Sequence, residues 1–209
     1  MKLSIAEGLY LIALDDEEGR LLAAAEKTYI DGILSAIIFE LYLLGKIGLS
    51  DGNITSKNAE GTGNGILDNV LNKIKDGEDI VDAVRRLHGK FGNLKEDLDE
   101  LLVRRGILKR EATKLMWIPL SERMDNANYA FEKEIRNILQ AIVLKGKKPD
   151  PEYAILLSLI YDCDILDEVF RDKDDLIDAV KVAKDMVNSP ELDVEIRTSL
   201  AELKSFFLG

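Results

Sequence analysis

The sequence predicts a mainly α-helical fold, a single-domain helical bundle with short β-hairpins, and three observations predict it. Apolar residues recur at helical spacing along most of the chain. Glycines follow helix-like patterns at Gly45, Gly106 and Gly146, where a left-handed cap belongs. No linker rich in Pro, Gly or Ser divides the 209 residues. A chain of that length buries a sizeable core without splitting, so one domain over 1–209 is expected.

Ser4-Ile-Ala-Glu7 has the form of a capping box. The serine oxygen and the glutamate each take an orphan backbone donor, launching a helix through Leu14. Asp15-Asp-Glu-Glu-Gly19 breaks it. Tyr29 to Leu44 carries Ile30, Ile33, Leu34, Ile37, Ile38, Leu41 and Leu44, a nearly continuous apolar surface that marks a helix buried on most sides. Gly45 closes that helix. Lys46 to Ser56 then gives two short extended pieces around an Asp51-Gly52 turn, a strong hairpin signal.

Gly61-Thr-Gly-Asn-Gly65 lacks the Gly-Lys-Ser/Thr of a phosphate loop, and Ile66 stands where a dinucleotide fingerprint needs glycine. It reads as a flexible entry to a helix over Ile66–Lys75, with N–H groups that could hold an anion. A helix over Leu94–Arg105 stops at Gly106 and feeds extended chain into Lys114-Leu-Met-Trp-Ile-Pro-Leu-Ser-Glu-Arg123. Asn126–Leu144 is amphipathic and ends in Lys145-Gly146. Asp150-Pro151 and Ser189-Pro190 each set a capping residue before a proline at the first helical position. They open helices over Glu152–Tyr161 and Glu191–Phe207, with another over Asp174–Val187 between them.

Several function classes fall away. Glu7 interrupts the first apolar turn, unlike a signal peptide, and no run of 18 apolar residues exists to span a bilayer. The lone cysteine, Cys163, cannot form an intramolecular disulfide or a multi-thiolate metal site, and fits a reducing cytosol. His88, the only histidine, has no nucleophile near it in sequence and reads as a surface histidine in a basic loop. The carboxylates at Asp15–Glu18 and at Asp172, Asp174 and Asp175 lack calcium-loop spacing and read as helix-end residues. No catalytic residue, metal or cofactor is expected.

A net charge of −11 argues against a protein that coats nucleic acid, since phosphate neutralisation dominates such binding. The helix, glycine stop and hairpin, used twice, also suit a winged-helix module. Its recognition helix would be Leu94–Arg105, whose Glu96, Asp97, Asp99 and Glu100 would face phosphates, so no nucleic-acid partner is expected. Charge is uneven: Asp82–Lys114 holds nine Lys/Arg against six acids, a local +3 that leaves −14 for the remainder. Arg85, Arg86, Lys90 and Lys95 in it form a candidate anion or lipid-headgroup site; mixed-sign solvated helix faces are the alternative. Leu115, Met116, Trp117 and Ile118 are bulky and consecutive. On a two-stranded hairpin one core covers only alternate side chains, which makes these four a candidate membrane or oligomer contact. If the hairpin lies flat under a helix, they are core instead.

Four blocks, "EGLYLIALDDEEGRL" (Glu7–Leu21), "ELYLLGKIGL" (Glu40–Leu49), "EGTGNGILDNVL" (Glu60–Leu71) and "LVRRGILKRE" (Leu102–Glu111), occur in an order and spacing that resembles the GPP34 family, over about Leu3 to Leu166. The resemblance is to a compact, prokaryotic-type member. It implies a mainly helical single domain without catalytic activity, peripheral membrane association through a phosphatidylinositol-4-phosphate pocket, and an apolar hairpin that aids oligomerisation and membrane contact. The family's pocket tryptophan falls on Ala24 or Ala25, its first arginine on Leu34, and its helix pair on Gly92 and Lys95; only Lys95 is basic. The hairpin position falls on Leu115–Ile118. Two readings stay open. One is a non-enzymatic, cytoplasmic adaptor on an anionic phospholipid surface, peripheral on the cytoplasmic membrane face. The other is a soluble helical interaction module whose hairpin makes a homo-oligomer.

Overall fold

The chain begins as its capping box requires. Ser4 Oγ accepts the Glu7 N–H at 3.1 Å, and the Glu7 carboxylate accepts the Ser4 N–H at 2.8 Å. These bonds start α1 (Ile5–Ile12), every residue of which is buried. The computed structural model describes residues 2–15, 20–56, 60–115, 118–126 and 129–208, with backbone alone at 56, 111–115 and 118–126.

Helix α2 (Tyr29–Leu43) is the central element and packs against α1, α7 (Pro151–Asp162), α4 (Ile80–His88) and α3 (Gly65–Leu71). It ends in a Schellman motif: Gly45 adopts φ +67°, its N–H reaches the Tyr42 carbonyl, and the Lys46 N–H reaches that of Leu41. Gly106 (φ +69°) closes α5 (Leu94–Arg104) with the same pair of bonds, to Val103 and Leu102.

Strands β1 (Ile47–Ser50) and β2 (Asn53–Ser56) pair antiparallel around Asp51 (φ +48°) and Gly52 (φ +76°), the two left-handed residues of a type I′ turn. A two-residue strand, β3 (Glu78–Asp79), adds to β2 and makes a three-stranded sheet. Asp79 then caps α4, its Oδ1 accepting the Val81 and Asp82 N–H groups. This corrects the loop reading of His88, which is the last residue of α4, with its Nδ1 2.7 Å from Asp31 Oδ1 of α2.

The second hairpin is longer than expected. β4 (Leu108–Leu115) pairs with β5 (Ile118–Asn126), so Asn126 ends a strand, and α6 runs over Tyr129–Lys145. The remainder is α7, α8 (Leu166–Val169), α9 (Lys173–Asp185) and α10 (Val194–Leu208), ten α-helices in all among the described residues. α10 starts four residues after Pro190. Leu192 is buried in the core, and Asp193 beyond it accepts the Ile196 N–H and caps the helix in place of Ser189. One connected apolar core, with Tyr10, Phe39, Leu34, Ile37 and Phe170 fully buried, joins elements from α1 to α10. Among the described residues no helix is long and apolar enough to cross a membrane.

Candidate functional site

The four basic residues of the predicted anion site lie on α4, on α5 and on the turn between them, and they face different neighbours. Arg85 points at α10, where its guanidinium carbon sits 5.0 Å from the Phe206 ring centroid, and it pairs at 3.5 Å with exposed Asp82. Arg86 points the other way. Its Nε donates to Glu78 Oε1 at 2.6 Å and its Nη2 to the Lys73 carbonyl at 3.0 Å, with both partners of the ion pair largely buried. The guanidinium holds Glu78 below the usual carboxylate range. Arg86 therefore ties α4 to β3 and to the chain after α3. Lys90 is exposed and makes no ion pair with another described residue.

Lys95 closes a buried relay. Its Nζ donates to Asp99 Oδ2 at 2.8 Å, one helical turn along α5, and Tyr10 Oη of α1 donates to Asp99 Oδ1 at 2.6 Å. Asp99 is only 5% exposed and Tyr10 is fully buried. Burial, and then the neighbouring Asp99 carboxylate, push the Tyr10 phenol far above its ordinary range, so it stays a donor. Tyr29 lies close enough to feel both Glu96 and Asp99. Lys95 spends one of its three N–H donors on Asp99, and its side chain stays partly exposed.

The hairpin is attached at its base. Ile107 and Leu108 are buried in the core and β4 packs against α5. β4 runs for eight residues from Leu108, about 27 Å at some 3.4 Å per residue. The ladder slips one residue between Thr113 and Lys114, opposite Pro119, which has no N–H to offer it. Leu115 and Ile118 form the distal pair. Met116 and Trp117, which join them, lie outside the described residues, as do the side chains of Leu115 and Ile118.

A family model, Golgi phosphoprotein 3 (GPP34), matches residues 5–202, nearly the whole chain. The chain belongs to the GPP34 family. No curated protein matches it.

Within this GPP34 chain, the positions on which the resemblance places the lipid pocket are differently filled. Ala25 and Leu34 are fully buried, and Ala24, the other position on which the tryptophan falls, is exposed; none has a polar side-chain group to offer a headgroup. Gly92 is exposed and has no side chain. Lys95 alone retains a cation, and Asp99 occupies it. The residues missed from sequence are the carboxylates. Asp99 stands at i+4 from Lys95, a helical pairing distance that could have found it. Glu78 is eight residues from Arg86 across a strand-to-helix junction, and no local pattern marks that pair.

Lys2, Leu3, Phe131, Glu134, Ile135 and Tyr153 line a groove of about 310 Å³. Beside it the Lys2 ammonium pairs with Glu152 at 2.7 Å, and Arg105 pairs with buried Glu7 while donating to the Lys2 carbonyl. Among the described residues no group of three or more His, Cys, Asp or Glu could hold a metal ion.

Proposed function

We propose that this GPP34 protein is a non-enzymatic adaptor that attaches peripherally to an anionic phospholipid surface, on the cytoplasmic face of a membrane, through the β4–β5 hairpin and nearby basic side chains. Family membership over residues 5–202 carries this reading. The hairpin supports it, since its base is held by Ile107 and Leu108 while β4 extends well beyond them. Phosphatidylinositol-4-phosphate is the headgroup that the family suggests. Of the four basic residues, those freest to meet a surface are Lys90 and Arg85, whose pair with Asp82 is exposed, because Arg86 and Lys95 are each held by a largely buried carboxylate. Each Lys or Arg near an anionic bilayer contributes about 1 kcal/mol, so the hairpin must supply the rest.

Co-sedimentation with vesicles of phosphatidylcholine alone, with added phosphatidylserine, or with added phosphatidylinositol-4-phosphate, each at two salt concentrations, tests the reading. Binding that requires anionic lipid and weakens with salt supports it. Indifference to every vesicle, with a mass in solution that rises with concentration, would replace it by the oligomerising interaction module.

A further inference from the structure

We propose that the last turn of α10 is a lipid contact in its own right: Phe206, Phe207 and Leu208 enter the headgroup layer of an anionic phospholipid bilayer, while Arg85 of α4 and Lys204 meet its phosphates. The inference rests on the lipid-surface reading above and adds a second apolar element to the hairpin.

The apolar stripe of α10 is longer than the core that covers it. Ile196, Ser199, Leu200 and Leu203 are buried at helical spacing, and the same face continues one turn further through Phe206 and Phe207, which are only partly covered, with Leu208, 68% exposed, beside them. The two rings touch, their centroids 5.4 Å apart and their planes tilted by 56°. Charge on the helix is segregated to match. Asp193, Glu195 and Glu202 all precede Leu203, and Glu195 is turned to the β1–β2 turn, where it accepts the Asp51 N–H at 3.0 Å. Between Leu203 and Leu208 the one charged residue is Lys204.

Cations from neighbouring helices flank this turn. Tyr42 Oη donates to Asp193 Oδ2 at 3.0 Å, which sets the start of α10 beside the end of α2, and His88 lies against Asp31, which sets the end of α4 beside the start of α2. α10 therefore runs back along α2 and finishes near the end of α4, where the Arg85 guanidinium lies over the Phe206 ring. Asp82, the partner of Arg85, is itself exposed. On the opposite side of α10, Lys204 donates to the Lys184 carbonyl of α9 at 3.2 Å, and both ammoniums sit 5.8 Å from the Tyr161 ring centroid. Rings with cations laid over them match a bilayer interface, the apolar body toward the acyl chains and the charge among the headgroups. A stable protein partner needs roughly 800 Å² on each side, more than three side chains offer, whereas a bilayer takes a wedge of this size wherever its phosphates meet the cations.

Cys163 is buried, so an environment-sensitive fluorophore can be attached to Leu208→Cys alone. The labelled full chain is mixed with vesicles of phosphatidylcholine and phosphatidylserine that carry acyl-chain spin-labelled phosphatidylcholine, and the same samples are sedimented. Sedimentation with a quenched fluorophore is the expected result. In the unlabelled chain Leu208→Glu should weaken vesicle binding about tenfold and Arg85→Gln about fivefold. Sedimentation with an unquenched fluorophore would overturn the role of α10 and leave the membrane reading standing, as would equal affinity of Leu208→Glu and the native chain. No sedimentation with any vesicle would sink both. Emission that follows protein concentration in the absence of vesicles would assign the turn to a second copy of this chain and overturn the proposal.

Discussion

Asp162, at the end of α7, shows what a single buried charge does to this molecule. It is 8% exposed, its Oδ1 has no hydrogen-bond partner among the described residues, and burial pushes its carboxyl up to about 7, with Lys204 pulling the other way. A folded-state value above the unfolded one means that stability is greatest below the ordinary carboxylate range and is lost as pH rises to about 7. Asp162→Asn should therefore stabilise the fold by on the order of 2–4 kcal/mol at pH 8 and by almost nothing near pH 4. Urea denaturation at both pH values measures this, and a pH-independent gain would mean that shape, not charge, is responsible. Close packing is felt one residue further on. A Cβ at Gly32 would lie 2.5 Å from Cys163 Sγ and 3.2 Å from Leu9 Cδ2. Gly32→Ala should thus cost about 1–3 kcal/mol by overpacking the α2–α7 contact. Cys163→Ala in the same chain should recover most of that loss, which thermal melts of the single and double variants would show.

Among elements, the β4–β5 hairpin joins the core through Ile107 and Leu108 and carries its apolar tip at the far end of two long strands. Trp117 is the only tryptophan, so its emission reports on that tip alone. Anionic vesicles should shift the emission to the blue. A shift that instead follows protein concentration would point to self-association, and emission already that of a buried indole and unmoved by either would place Trp117 in the core. Trp117→Ala should weaken vesicle binding about tenfold or more, the worth of one large apolar side chain, and leave the melting temperature unchanged. A large fall in melting temperature would show that the tip supports the fold. How far such elements can be read from sequence depends on how local their causes are. The capping box at Ser4 and Glu7 and the glycine stops at Gly45 and Gly106 involve residues within one turn, and they form as the pattern requires. The start of α10 does not follow from Ser189-Pro190, because Leu192 has to reach the core before Asp193 can cap the helix. β3 has no apolar alternation at all and exists only because β2 lies beside it.

At the scale of the whole molecule, the ends of α1 and α5 are joined by an ion pair between residues 98 apart. Arg105 holds Glu7, whose side chain is 2% exposed, and also donates to the Lys2 carbonyl. Removing only the guanidinium would leave a buried carboxylate unpaired, so Arg105→Met should cost about 3–5 kcal/mol. Pairing it with Glu7→Gln should cost less than the sum of the two, a coupling that a double-mutant cycle in urea would detect. By itself the sequence determined the mainly helical class, the glycine-capped ends of α2 and α5, the tight β1–β2 turn and membership of the GPP34 family. Each of these rests on periodicity, on caps or on blocks of neighbouring residues. The tertiary structure alone decided what the basic segment can do. Arg85, Arg86, Lys90 and Lys95 look like one patch along the chain, yet packing turns the first three toward α10, β3 and solvent, and Lys95 pairs with Asp99 on its own helix. A charge is free to meet a ligand only if folding brings no opposite charge against it. Asp99 meets Lys95 through the i,i+4 spacing of α5, which the sequence carries, whereas Glu78 is brought to Arg86 by a strand pairing that no local pattern encodes.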